Sequence, residues 1–162
     1  MAEETADKDP REVALAETRR LLERSAAGML GTAMVERSSH PYVSLVTFAL
    51  DTHGAPLFLF SDLADHTRNL KADWRASLLL EDASHLKNPQ TGSRVTLIGK
   101  VTPTEDLEAR AGFLKKHPSA GKYAGFADFN VYQMTIETAH FVGGFGEAIW
   151  LESDEISQLF KA

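Results

Sequence analysis

The feature that most limits this chain is the passage from Leu57-Phe58-Leu59-Phe60 into Ser61-Asp62-Leu63-Ala64-Asp65-His66-Thr67-Arg68-Asn69-Leu70. Four consecutive large apolar residues, following Gly54 and Pro56, read as a short buried strand. Polarity then switches abruptly, and a short helix starts near Ala64 with Leu63 and Leu70 available to pack. A strand that ends in Ser and feeds a helix start brings a hydroxyl and free backbone N–H groups to one point. Thr67 and Arg68 add a second hydroxyl and a fixed cationic fork there, and that combination suits a phosphate. It suits a capped surface helix with a solvated arginine as well.

The rest of the chain places strands around this passage. Residues 1–8 read as a disordered lead, within a boundary set at 1–10 before one domain at 11–162. Asp9-Pro10-Arg11-Glu12 supplies a cap, a first-turn proline and a carboxylate, opening a helix to about Ala26 that Gly28 stops. Met29–Val35 and Tyr42–Leu50 read as strands. Asp51-Thr52-His53-Gly54 turns the second of these into Leu57–Ser61 as an antiparallel neighbour. Further strands are expected over Ala76–Leu80, Ser93–Val101, Phe129–Val142 (one strand or two) and Glu147–Leu151. Helices are expected from Thr104 to about Lys116 and after Ser153. Six or seven locally linked strands with helices between them indicate a mainly β fold, a closed or nearly closed antiparallel barrel with flanking helices.

Composition removes whole classes of chemistry. The 162 residues contain no cysteine, which excludes disulfides, thiolate metal sites, iron–sulfur clusters and cysteine nucleophiles. Any redox chemistry then needs a bound cofactor. A net charge of −6 argues against a general nucleic-acid partner. No apolar run approaches the roughly 20 residues that span a bilayer, and the opening MAEETADKDP lacks a signal-peptide pattern. A soluble cytoplasmic protein is the expectation.

Other candidate constellations are weak. His40, His53, His66, His85, His117 and His140 are scattered, with no spacing that converges on zinc. Ser44 lacks the Gly-x-Ser-x-Gly turn of a hydrolase nucleophile. Gly143-Gly144-Phe145-Gly146 lacks the dinucleotide pattern and reads as a bend or a close backbone approach. Arg94 opens a strand of otherwise buried character; it either snorkels to water or aims a donor at a cofactor ring.

Taken together, several stretches resemble the flavin-binding split-barrel proteins related to pyridoxamine 5′-phosphate oxidase, in particular their haem-utilisation branch. They are Gly28–Thr32, Pro41–Ser44, Ser61–Leu70 continuing to Asp73 and Arg75–Ser77, and Arg94–Gly99. Lys116–Pro118, Asp128-Phe129 and Phe141–Gly146 also fit. The resemblance implies a split-barrel homodimer with two FMN molecules at the subunit interface. Val43, Ser44, Leu45 and Val46 would run beside the isoalloxazine. Ser61 would lie near the ribityl chain, and His66, Thr67, Arg68 and Asn69 around the phosphate. Arg94 falls where the oxidase has a glutamine at the ring edge, and a cation there favours the anionic reduced flavin.

Departures from the oxidase are equally specific. Val43 and Phe48 replace an arginine and a lysine of its second-strand motif, and its C-terminal arginine-and-histidine segment has no counterpart after Trp150. Vitamin B6 oxidation is therefore not the expectation. The haem-utilising branch draws on a C-terminal extension, whereas this sequence runs to Ala162 through a short helix. The expected function is an FMN-dependent oxidoreductase of unassigned substrate. The alternatives are a haem-binding or haem-degrading protein, a flavin-binding module without turnover, and a deazaflavin protein on the same barrel. An apolar surplus at Phe126, Phe129, Phe145 and Trp150 is expected to be covered by a second copy.

Overall fold

The computed structural model describes residues 8–144 and 146–161. Most of the 1–10 lead, and Phe145, lie outside them. Helix α1 (Pro10–Arg24) opens as expected: Asp9 caps it by accepting a hydrogen bond from the Arg11 N–H at 3.0 Å, and Pro10 takes the first position. It ends earlier than expected, and Gly28 lies inside β1 (Ala27–Met34). The reason is space. A Cβ on Gly28 would lie 2.7 Å from Leu80 Cδ2 and 3.0 Å from the Leu79 carbonyl. This glycine permits close strand packing; it does not stop a helix.

Among the described residues, eight strands form one antiparallel sheet. After β1 come β2 (His40–Thr47), β3 (Ala49–Leu50), β4 (Pro56–Ser61), helix α2 (Asp65–Ala72) and β5 (Arg75–Glu81). There follow β6 (Arg94–Pro103), α3 (Leu107–Lys116), the single long β7 (Phe129–Val142), β8 (Ala148–Glu152) and α4 (Ser153–Gln158). The order is β2-β1-β5-β6-β7-β4-β3, with β8 also on β7. β4 pairs with residues 129–133 of β7 and β8 with residues 138–142, while β6 runs along the other edge of β7 for nearly its whole length.

The expected neighbour relation between the second strand and Leu57–Ser61 holds for two residues only, Ala49↔Leu57 and Leu50↔Pro56. At Phe48 the chain leaves β1, its partner through β2, and turns to β4. Two side chains hold that break. His117 Nε2 hydrogen-bonds the Phe48 carbonyl at 2.7 Å, and Lys116 Nζ donates to the Ser25 carbonyl at 2.6 Å while lying 4.9 Å from the Phe48 ring centre.

The barrel interior is filled by Leu30, Phe58, Phe60, Leu78, Leu80, Val95, Leu97 and Phe141, closed by Leu21 and Leu22 of α1 and Ile156 of α4. Arg11 ties α1 to α4 through Glu155 at 2.6 Å. A second cluster, with Leu57, Leu59, Phe113 and Val131, packs α3 on the outer side of β4. Both faces of β4 are thus buried, which explains its uninterrupted apolar run. Helix α2 lies between the end of β4 and the start of β5, against β1.

Candidate functional site

The passage at Ser61–Leu70 forms the strand end and helix expected of it, and its polar atoms are largely engaged. Ser61 Oγ donates to Asp128 Oδ2 at 2.6 Å and accepts from the Leu63 N–H at 3.1 Å. Arg68 donates to the Leu63 carbonyl at 2.7 Å and to Asp65 at 3.2 Å. Buried Asn69 donates to Thr32 Oγ1 at 3.1 Å, joining α2 to β1. His66 packs on Phe60 with ring centres 4.4 Å apart, and burial lowers its pKa, the Asp65 carboxylate opposing this.

Three buried polar atoms here have no hydrogen-bond partner among the described residues: Ser44 Oγ, His66 Nε2 and Thr67 Oγ1. All belong to residues expected at a cofactor, and buried polar groups ordinarily find a partner. Beside α2, a groove of about 210 Å³ is lined by Glu36, Arg37, Asp65, Arg68 and Asn69. Of its lining, Arg68 pairs with Asp65 at 3.2 Å. Close by, Asp62 pairs with Lys71 at 2.8 Å and Asp128 accepts from Ser61. A dianionic phosphate entering there meets as many carboxylates, Glu36 and Asp65, as guanidinium groups, Arg37 and Arg68.

The second part of the site is a sheet face. Alternation along β2 turns Val46 inward and leaves Val43 and Leu45 outward, 65% and 76% exposed. Register carries that face across six strands: Leu45, Met29, Leu79, Thr96, His140 and Trp150 are successive partners. The neighbouring row is Val43, Gly31, Ser77, Ile98, Thr138 and Glu152. A cleft of about 380 Å³ opens over its small residues, lined among others by Gly31, Tyr42, Val43, Ser77 and Ile98, with the Asp73–Arg75 pair at its rim.

Arg94 opens β6 on this face, opposite Glu81 and Val142, and one of its terminal nitrogens donates to the carbonyls of Gln90 and Gly92. It is five strand positions from Gly99, the partner of Ala76 near the start of β5 where α2 ends, or about 17 Å. The expected residues therefore fall into two groups: Ser61 and the α2 residues at one end, and Arg94 with outward Leu45 and Val43 on the exposed face. Phe126 and Phe129 do not share a patch with Trp150. Phe129 opens β7 and packs with Tyr123 at 4.9 Å, and Phe126 lies in the turn just before it; eleven residues of strand, about 37 Å, separate Phe129 from His140.

Two features were missed in the sequence. One is the Lys116–His117 clamp on Phe48. The other is the stack of His140 on Trp150, with ring centres 4.5 Å apart at 27°. Strand alternation through Thr138, His140 and Val142 would have put this histidine on one face with Thr96. Among the described residues no cluster of His, Asp or Glu is arranged to hold a bare metal ion. The residues fit a large planar apolar ligand with a nitrogen donor better than they fit a phosphorylated one. The face is broad, four of the six residues in its central row are apolar, and an imidazole lies within it.

Comparison with known proteins follows the same division. Residues 9–158 match the family model described as CREG, beta-barrel. The chain is 34% identical over 147 residues to the non-canonical heme oxygenase HOZ, chloroplastic, of Arabidopsis thaliana, covering 88% of this chain and 44% of that protein. It is 32% identical to a solved heme binding protein from Mycobacterium smegmatis, at a TM-score of 0.82, covering 90% of this chain and 60% of that one. A general stress protein 26 relative from Clostridium acetobutylicum, described as of the pyridoxinephosphate oxidase family, matches with a TM-score of 0.67 at 18% identity, over 91% of this chain and 99% of that one. The chain spans less than half of the curated relative and less than two thirds of the mycobacterial protein.

Proposed function

This chain belongs to the CREG beta-barrel family, with the split-barrel fold of pyridoxine-phosphate-oxidase-like proteins, and on that premise we propose that it is a haem-binding protein. This replaces the FMN oxidoreductase expected from the sequence. The observation that carries the reading is the match, at 34% identity over 88% of the chain, to a protein named as a haem oxygenase. The apolar outward face with His140 in it supports the same ligand class, and the carboxylate-rich surroundings of α2 weigh against an FMN phosphate.

In this reading haem lies on the outward face, and a second copy of the chain covers it there. Haem, when bound, would supply an iron centre for oxygen chemistry, the class of activity in the relative's name. The protein's own part is to bury the macrocycle against Met29, Leu45 and Leu79 and to exclude water. Cytoplasmic location belongs to this proposal; no described helix is long and apolar enough to cross a membrane.

The test is a titration of the purified chain with ferric haem, FMN and riboflavin, followed by absorption and flavin fluorescence. Saturable uptake of haem with a shifted Soret band, and no retention of either flavin, is expected. Retention of FMN with no haem uptake returns the function to the flavin reading. Loss of the Soret band under a reductant and air, faster than for free haem, would extend the reading from binding to degradation.

A further inference from the structure

We propose that His140 is the protein's axial ligand to haem on the outward sheet face and that Arg94 holds a haem carboxylate; this rests on the haem-binding reading above. The iron of haem takes a neutral imidazole nitrogen as its commonest protein ligand. Of the six histidines, one meets the requirements of position and availability. His66 buries its Nε2 against the barrel core, beside Phe60. His117 is committed to the Phe48 carbonyl. His85 faces Asp82 at 3.5 Å in the loop after β5. His53 lies in the turn between β3 and β4, and His40 at the exposed start of β2.

His140 differs from all of these. It is half-buried near the C-terminal end of β7, on the face shared by Met29, Leu45, Leu79 and Trp150. Its ring makes no hydrogen bond among the described residues, and the stack on Trp150 fixes its plane. A ligand with a fixed plane loses little rotational freedom on binding.

Arg94 lies on the same face. Its strand neighbour two residues on, Thr96, is the cross-strand partner of His140, and such diagonal neighbours are about 7–8 Å apart. Among the described residues only Nη1 of Arg94 is engaged, by two carbonyls. Nη2 and Nε remain to bind a carboxylate as a fork. An apolar slab, an imidazole within it and a guanidinium one step away match the three chemical parts of haem: macrocycle, iron and propionate.

The test loads the purified full chain with ferric haem and reads absorption and resonance Raman in the ferric and ferrous states. Wild type is expected to show an iron–imidazole band in the ferrous form. His140→Ala is expected to lose that band and to regain the wild-type ligation spectrum when free imidazole is added. Its haem affinity should fall by more than the roughly tenfold that losing an outer-shell partner of a metal ligand costs. Should His140→Ala not fold, His140→Gln, which keeps a planar polar group beside Trp150, makes the same comparison. Arg94→Gln is expected to keep the iron–imidazole band and weaken binding about tenfold or more. A His140 variant with the wild-type band overturns the ligand assignment, and an Arg94 variant with unchanged affinity overturns the carboxylate contact. Wild type that takes up no haem overturns the haem-binding reading itself, a distinct result.

Discussion

If a second copy covers the outward face, as proposed, Leu45→Glu should dissociate that dimer without unfolding the chain. Leu45 is 76% exposed and is flanked by Val43 on the edge strand β2. Complete burial of a leucine side chain is worth about 1.5–3 kcal/mol, so covering the exposed part on both copies contributes about 2–5 kcal/mol per dimer. Loss of that contribution weakens association at least about 30-fold, and two carboxylates forced into an apolar interface add to it. The β1–β2 backbone ladder does not involve the side chain, so monomer stability should move by no more than about 0.5 kcal/mol. Sedimentation equilibrium from nanomolar to micromolar concentration gives the association constant, and thermal melts of dilute samples give the stability. Equal association constants for wild type and variant would refute the placement of the second copy on this face.

Three further outcomes follow from packing and charge. Gly99→Ala should destabilise strongly, because the new Cβ would fall 1.9 Å from the Thr135 carbonyl at the irregularity between β6 and β7; overpacking of about 1–3 kcal/mol would lower Tm by about 2–12 °C. Stability should fall in acid as pH drops from about 4 toward 2. The Arg75 side chain, then its backbone N–H, holds the Asp73 carboxyl down at about 2, so its contribution is complete above the unfolded-state value and lost as pH approaches the folded one. Asp73→Asn should flatten that part of the pH dependence of Tm, and an unchanged slope would remove Asp73 from the account. His117→Ala should cost about 1 kcal/mol by leaving the buried Phe48 carbonyl without its partner, read as a lower denaturation midpoint at unchanged slope.

Much of the barrel was legible because strand burial is periodic. Val95 and Leu97 point inward and Arg94 and Thr96 outward in the sequence as in the structure. What was not legible depended on distant partners. Gly28 has the same local signature whether it stops a helix or lets two strands approach, and only Leu78, Leu79 and Leu80 decide between them. The break at Phe48 is held by residues almost seventy positions away. Arg68 resembles a free phosphate fork until the Leu63 carbonyl and Asp65 are seen beside it. The outward face required the register of six strands, and no single segment contains it. Three of the residues expected at a cofactor, Ser44 on β2 and His66 and Thr67 on α2, carry buried polar atoms without a partner among the described residues, a property that only the packed structure reveals.

The most direct test of the central claim is sedimentation velocity of the chain mixed with substoichiometric haem, recorded at the Soret wavelength. If haem is bound on the outward face between two copies, all of the Soret absorbance should sediment in one boundary at twice the chain mass. Absorbance that stays at the meniscus as free haem, or moves with a single chain at concentrations where the protein signal is dimeric, would contradict it.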